Sequence, residues 1–200
     1  MNSRVEIKGE KSAIRRERRR IRKSLTADDR AAADAAICRH TMHLAAFRRA
    51  RNVATYFAFD GEPDIALLLS AKSNGAKNFF APIITRRDMR FGKVGAGTRM
   101  RKNWFGIAEA RPEYIAEPQA LDIVLVPLVA FDRVGSRLGM GGGYYDRYFK
   151  FLKDRTHFIR PKLFGIAYSC QQVELLPREH WDVPLWGVIT EKGVCRVGGL

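Results

Sequence analysis

The run Arg137-Leu138-Gly139-Met140-Gly141-Gly142-Gly143-Tyr144-Tyr145-Asp146 holds the densest group of residues able to do chemistry. It follows an apolar stretch ending near Phe131 and precedes a helical pattern that continues to Leu152. Glycines at such a junction let the backbone turn tightly and aim several N–H groups at one point. At a helix N-terminus, that arrangement suits a phosphate. Arg137 adds a positive fork, and Asp146 has the hard oxygen donors that a divalent cation takes. The plain alternative is a loop that uses glycine for its turns alone, because short Gly motifs match often. The flanking Arg, Tyr-Tyr and Asp weigh against it. The run is not a Walker A loop, since it lacks the Lys and hydroxyl of G-x-x-x-x-G-K-[ST]. Its glycine spacing also differs from G-x-G-x-x-G, and it falls late in the chain instead of on a first βα turn.

The elements that must position this loop read as an alternating α/β chain. Thr26 followed by Asp29 predicts a helix start, with Ala33, Ile37, Leu44 and Phe47 on the core face of one helix. Residues 52–59 read as a short buried strand. Pro63 is expected to open a helix with Ile65, Leu68 and Leu69 inward, ended by Gly75. Strands are expected at 78–84 and 89–94, and the strongest strand signal runs over 121–131, with the Gly loop directly after it. Residues 144–152 are helical, 163–168 and 185–190 are strands, and Glu191-Lys192-Gly193 turns the chain into a last strand at 194–197. This pattern predicts an α/β fold: a mostly parallel open sheet with helices on both faces and a late antiparallel hairpin at its edge. The whole of 1–200 is expected to form a single domain. Ligands of such sheets sit beyond the carboxyl ends of the strands. Glu62, the Gly loop and Gln171 all fall at such ends.

The N-terminus is strongly basic. Residues 1–30 hold eleven Lys or Arg against five Asp or Glu, within a chain of net charge +15. Ile7, Ile14, Ile21 and Leu25 make a narrow apolar stripe, so 1–25 reads as a basic helix. Lys11, Arg15, Arg18 and Arg22 recur at four, three and four on the adjoining face. Laid along the body, that helix aims a row of cations at one edge. A transit peptide is the rival reading, but Glu6, Glu10 and Glu17 count against it. A second basic cluster comprises Arg86, Arg87, Arg90, Lys93, Arg99, Arg101 and Lys102. The three cysteines, Cys38, Cys170 and Cys195, show neither metal-ligand spacing nor a disulfide framework. With no secretory signal and no run of membrane-span length, the expected location is a reducing cytoplasm.

Four motifs in one order give the chain a resemblance to the 5-formyltetrahydrofolate cyclo-ligases. They are Lys11 to Arg15 as K-x-x-x-R, Glu62 within Phe59-Asp60-Gly61-Glu62-Pro63-Asp64, the Gly loop through Asp146, and a C-terminal series. That series reads Gln171 or Gln172, Leu176-Pro177, Trp181-Asp182 and Thr190-Glu191. The resemblance covers roughly residues 11 to 195. It departs from the family at Ala110 and Arg111, which intervene between Glu109 and Pro112.

The resemblance implies an ATP-dependent ring closure. ATP phosphorylates the formyl oxygen of 5-formyltetrahydrofolate, N10 attacks the activated carbon, and loss of phosphate leaves 5,10-methenyltetrahydrofolate. It implies ATP contacts at Lys11, Ser12, Ala13, Ile14 and Arg15, and at Arg137, Leu138, Gly139, Met140, Gly141, Gly142, Gly143, Tyr144 and Tyr145. It implies Mg²⁺ at Asp146 and Asp182, and the reduced folate at Glu62, Tyr144 and Trp104. The bland alternatives are a loop aspartate at Asp182, a helix-start acid at Glu62, and core aromatics at Tyr144, Tyr145, Trp104 and Phe105. A monomer with ATP and reduced folate as its small-molecule partners, and no membrane partner, is expected. The charge also admits a basic nucleic-acid-binding protein, and the loop admits a nucleotide-binding regulatory module. The first has no RRM, KH, zinc-finger or helix-turn-helix signature to support it, and the second leaves Glu62 unexplained.

Overall fold

The computed structural model describes residues 4–70, 75, 77–85, 88–95, 98–102, 106, 108–110, 114–153 and 160–196. Five helices are described: α1 (Arg4–Lys23), α2 (Ala27–His43), α3 (Ala45–Arg49), α4 (Leu67–Ser70) and α5 (Tyr144–Tyr148). The strands are β1 (Asn52–Ala54), β2 (Asn78–Ile84), β3 (Met89–Val94), β4 (Met100–Lys102), β5 (Ala108–Ala110), β6 (Ile115–Ala116), β7 (Ile123–Pro127), β8 (Ala130–Phe131), β9 (Arg137–Leu138), β10 (Lys162–Ile166), β11 (Gly187–Thr190) and β12 (Gly193–Arg196).

Eight strands form one open sheet in the order β12-β11-β10-β7-β1-β2-β3-β6. The five central strands pair in parallel, from β11 through β10, β7 and β1 to β2. β12 closes one edge antiparallel, and β3 with β6 closes the other. β7 lies in the middle because it can be buried on both faces. Ile123 and Leu125 enter one core cluster, and Val124 and Val126 enter the other. That alternation is the two-residue period of a strand, and it is apolar throughout because neither face meets water. Ile37 and Phe47 cover the first face from α2 and α3, while Phe149 and the tyrosines of α5 pack over the second. Thr26 caps α2 as expected, its hydroxyl accepting the Asp29 amide at 3.1 Å.

Several boundaries differ from the expected ones. The strand expected over 121–131 is broken after Pro127, where backbone carbonyls are given to buried side chains instead of a ladder. Leu128 O accepts Arg22 Nη1 at 3.1 Å and Gln171 Nε2 at 2.8 Å, and Val129 O accepts the same Gln171 nitrogen at 3.0 Å. The Gly loop does not follow directly, because a β8–β9 hairpin intervenes. The Asp132 carboxylate folds its turn by accepting the amides of Val134 and Ser136. The expected strand 52–59 has its parallel ladder over Asn52–Ala54 only. The helix expected from Pro63 starts at Leu67, since Asp64 Oδ1 takes the Ala66 amide at 2.9 Å in a local turn that competes with helix. Residues 71–74, where that helix was expected to continue, lie outside the described residues. One helix expected across Ala33 to Phe47 is two, broken where Leu44 adopts extended backbone.

Candidate functional site

α1 runs along the edge formed by the carboxyl ends of the parallel strands, and its row of cations meets one loop after another. Lys11 Nζ lies 3.7 Å from Asp182 Oδ2. One turn on, Arg15 Nε donates to Gly139 O at 2.8 Å. Arg18 Nη1 donates to Cys170 O at 3.1 Å, just past β10. Arg22 is fully buried, with Nη1 on Leu128 O past β7 and Nη2 on Asp60 Oδ2 at 2.9 Å past β1. The spacing of four, three and four thus matches the spacing of loops along one sheet edge. Ile14 sits between Lys11 and Arg15 and packs against Ala130, Leu138 and Leu176. Ser12 and Ala13 are exposed.

The Gly loop needs its glycines at two points. Gly141 has φ +109° and Gly143 has φ +63°, conformations that L side chains rarely adopt. A Cβ on Gly143 would also stand 2.9 Å from Arg147 Nη1. The guanidinium of Arg147 holds the loop from the far side, donating to Gly142 O at 2.7 Å and lying 5.0 Å from the centre of the Tyr144 ring. α5 has only five residues, so its dipole adds little. The positive field at the loop comes from Arg15, Arg147 and the neighbouring Lys11.

Arg137 has a different place from the one expected. Its guanidinium is nearly buried and committed: Nη2 donates to Asp146 Oδ1 at 2.6 Å, and Nη1 donates to the Val183 carbonyl. It acts through Asp146, orienting a carboxylate whose Oδ1 also accepts the Val183 amide at 3.1 Å. The second oxygen, Oδ2, takes no part in those contacts. Since Val183 directly follows Asp182, the same hydrogen bond brings Asp146 against the backbone that carries Asp182. Asp182 Oδ2 accepts the Glu179 amide at 2.9 Å. Among the described residues no group of three or more His, Cys, Asp or Glu gathers into a full metal cage. Carboxylates at Asp146 and Asp182 fit Mg²⁺, which keeps waters and takes one or two carboxylates plus phosphate oxygens.

Glu62 stands on the loop after β1. Its Oε2 accepts the Phe59 amide at 3.2 Å. Burial pushes its carboxyl up to about 7, against the opposing pull of the Arg22 guanidinium. With α4 beginning at Leu67, Glu62 is no helix-start acid. The Tyr145 hydroxyl is buried without a hydrogen-bond partner among the described residues. Burial first, then the Glu62 carboxylate, raises its pKa. The Tyr145 ring packs near Phe91 and Phe149. Tyr144 is half-buried, with its hydroxyl 3.4 Å from Thr85 O. Leu138 is core and Met140 is exposed. Trp104 and Phe105 lie outside the described residues.

The C-terminal motif residues brace the site. Gln171 is fully buried and bonds Leu128 O, Val129 O and the Tyr168 amide. Glu191 accepts the Ser169 amide at 2.9 Å and its hydroxyl, fixing the turn that carries Gln171. Two aspartates passed over as site residues prove central. Asp132 bonds the Leu176 amide as well as its own turn, and Asp60 collects three cations. The signal for Asp60 was the Asp-Gly pair, which takes φ +53° and +78°. A cleft of about 690 Å³ opens beside the loop, lined by Gly143, Asp146, Arg147, Lys150, Lys153 and Trp181 among others. Its size suits a nucleotide-sized ligand, and its cations suit an anionic one.

Residues 7–191 match the sequence model of the 5-formyltetrahydrofolate cyclo-ligase family. A 5-formyltetrahydrofolate cyclo-ligase of Haemophilus influenzae is 41% identical over 181 residues, which is 88% of this chain and 95% of that protein. One from Escherichia coli is 35% identical over 150 residues, 72% of this chain and 80% of that protein. The NMR structure of Aquifex aeolicus 5,10-methenyltetrahydrofolate synthetase superposes with a TM-score of 0.81 at 30% identity, covering 95% of this chain and 94% of that one.

Proposed function

This chain belongs to the 5-formyltetrahydrofolate cyclo-ligase family, and we propose that it converts 5-formyltetrahydrofolate to 5,10-methenyltetrahydrofolate with ATP and Mg²⁺. The observation that supports the reading most is the meeting, along one sheet edge, of the phosphate-type loop, two cations of α1, the carboxylates of Asp146 and Asp182 and the buried Glu62.

An amide-like formyl oxygen is a poor leaving group, and phosphorylation makes it a good one. The formyl oxygen attacks the γ-phosphorus and ADP departs. N10 then attacks the formyl carbon, and the phosphate leaves with that oxygen. Catalysis of this kind is mainly positioning and charge stabilisation. Lys11, Arg15 and the amides of Gly139 to Tyr145 hold the triphosphate. Asp146, oriented by Arg137, and Asp182 are the residues that would hold Mg²⁺, which offsets phosphate charge when bound. Glu62 faces the folate and grips the pterin amino groups or N10, and the family resemblance assigns Tyr144 and Trp104 to the same ligand.

All these groups come from one chain on one sheet, so we read residues 1–200 as a single catalytic unit that works as a monomer. Among the described residues no helix is long and apolar enough to cross a membrane, and we propose a cytoplasmic location. Nucleic acid is not a partner in this reading, in which six of the α1 cations are engaged within the molecule. Purified protein, Mg-ATP and 5-formyltetrahydrofolate should yield the methenyl product, followed by its near-ultraviolet absorbance. A flat trace with authentic substrate and excess Mg²⁺ would refute the assignment.

A further inference from the structure

Asp60 carries more positive charge than an anchor requires. Arg19 Nε lies 2.6 Å and Arg22 Nη2 2.9 Å from its Oδ2, and Lys23 pairs with Oδ1. The Asp60 side chain is 6% exposed, while those of Arg19 and Lys23 are 40% and 52% exposed. Arg22 also donates from Nε to Asp60 O at 3.1 Å. Asp60 and Gly61 both take left-handed backbone, so this loop holds an unusual shape, and Glu62 is the next residue. The opposite half of the same helix gives Lys11 to Asp182 and Arg15 to the Gly loop. Between Lys11 and Lys23 the helix contains no glycine or proline, and it rises about 1.5 Å per residue as a stiff rod. The two ends of α1 therefore cannot move independently.

We propose that α1 couples the two substrates: gripping Asp60 with Arg19, Arg22 and Lys23 ties the Glu62 loop to the turns that present Lys11 and Arg15, so nucleotide and reduced folate bind synergistically. Asp60 is a positioning residue in this scheme, acting on the folate through Glu62 and on the nucleotide through α1. The inference rests on the assignment of Lys11 and Arg15 to nucleotide and Glu62 to folate. A ligand that seats α1 sets the Asp60 loop, and a ligand that seats the Asp60 loop sets α1. Linkage requires each substrate to raise the other's affinity by the same factor.

Titration calorimetry of the full chain with a non-hydrolysable ATP analogue and Mg²⁺, with and without saturating 5-formyltetrahydrofolate, measures the factor. Wild type should bind the analogue about fivefold or more tightly when folate is present. The Arg19→Gln, Lys23→Gln double variant should keep its affinity for the analogue alone and lose most of that gain. Asp60→Asn should lose it too, with KM for both substrates rising more than kcat falls. Should Asp60→Asn fail to fold, the double variant decides by itself, because both its positions are partly exposed. Equal analogue affinities with and without folate in wild type, or a full gain in the double variant, would overturn the coupling. Lys11→Ala separates this from the site assignment: it should weaken the analogue in both conditions. No weakening there would fault the assignment itself.

Discussion

The chain has two basic regions of similar appearance in sequence and opposite character in structure. In α1 six cations face partners: Lys11, Arg15, Arg18, Arg19, Arg22 and Lys23 each meet a carboxylate or a carbonyl on another element, while the exposed Arg20 pairs with Glu17 of its own helix. Around β3 and β4 the exposed Arg90 meets its near neighbour Asp88 at 3.6 Å, and Lys93 is exposed. Arg101 is the exception there, pairing with the buried Glu109, which also accepts the Ile84 amide at 2.7 Å. Charge density alone therefore does not mark a binding surface. What distinguishes α1 is the helical spacing of its charges, which matches the spacing of loops at the sheet edge.

Substitutions can break that contrast. The largest effect should come where the α1 side meets the proposed metal carboxylates: if Asp146 holds Mg²⁺, Asp146→Asn should lower kcat/KM on the order of 10²-fold, because an amide neither offsets Mg²⁺ charge nor pairs with Arg137 as an ion. Nucleotide affinity should fall in Mg²⁺ and hardly change in EDTA, as read by titration. Next, Lys11→Ala and Arg15→Ala should each raise the KM for ATP about tenfold or more, the worth of a charge-assisted contact. Arg90→Ala and Lys93→Ala should leave KM unaltered. An equal rise from both pairs would mean a general field, and the contrast would be lost.

A subtler effect is the pH response at the folate end of the row. Glu62 titrates at about 7, so if its carboxylate grips the folate, kcat/KM for folate should rise through that pH, and Glu62→Gln should flatten the profile. The sign for stability is opposite. The folded chain holds this proton to higher pH than an unfolded glutamate, near 4.5, so the group lowers stability as pH rises from 4.5 to about 7. The Gln variant should then melt higher than wild type at pH 8. The smallest effect concerns the β3 side, where Arg90→Ala should change stability by no more than about 0.5 kcal/mol in urea titration.

Much of this was legible before any coordinates. The parallel sheet follows from apolar runs alternating with helical ones, and the edge hairpin from Glu191-Lys192-Gly193. The row at 11, 15, 18 and 22 follows from helical period alone. Other features depend on partners far away in sequence. Nothing local says that Leu128 O and Val129 O would serve Arg22 and Gln171, so the 121–131 run reads as one strand. Arg137 reads as a phosphate fork until Asp146 and the Val183 carbonyl are seen to hold it. Glu62 beside Pro63 reads as a helix start because the competing Asp64 turn is a side-chain choice.

The docking of α1 has a consequence for how the chain is made. This helix is synthesised before its partners, which follow 106 residues later for Leu128, 124 for Gly139 and 152 for Cys170. At roughly 5–20 residues per second, that is a wait on the order of ten seconds on the ribosome. Neither of the two larger core clusters contains a residue of α1, so the sheet can condense without it. Its many cations keep the waiting segment hydrated and repel other nascent copies of itself. The helix that lines the proposed site is thus made before the loops that seat it, and a newly made chain would acquire its core before it acquires that edge.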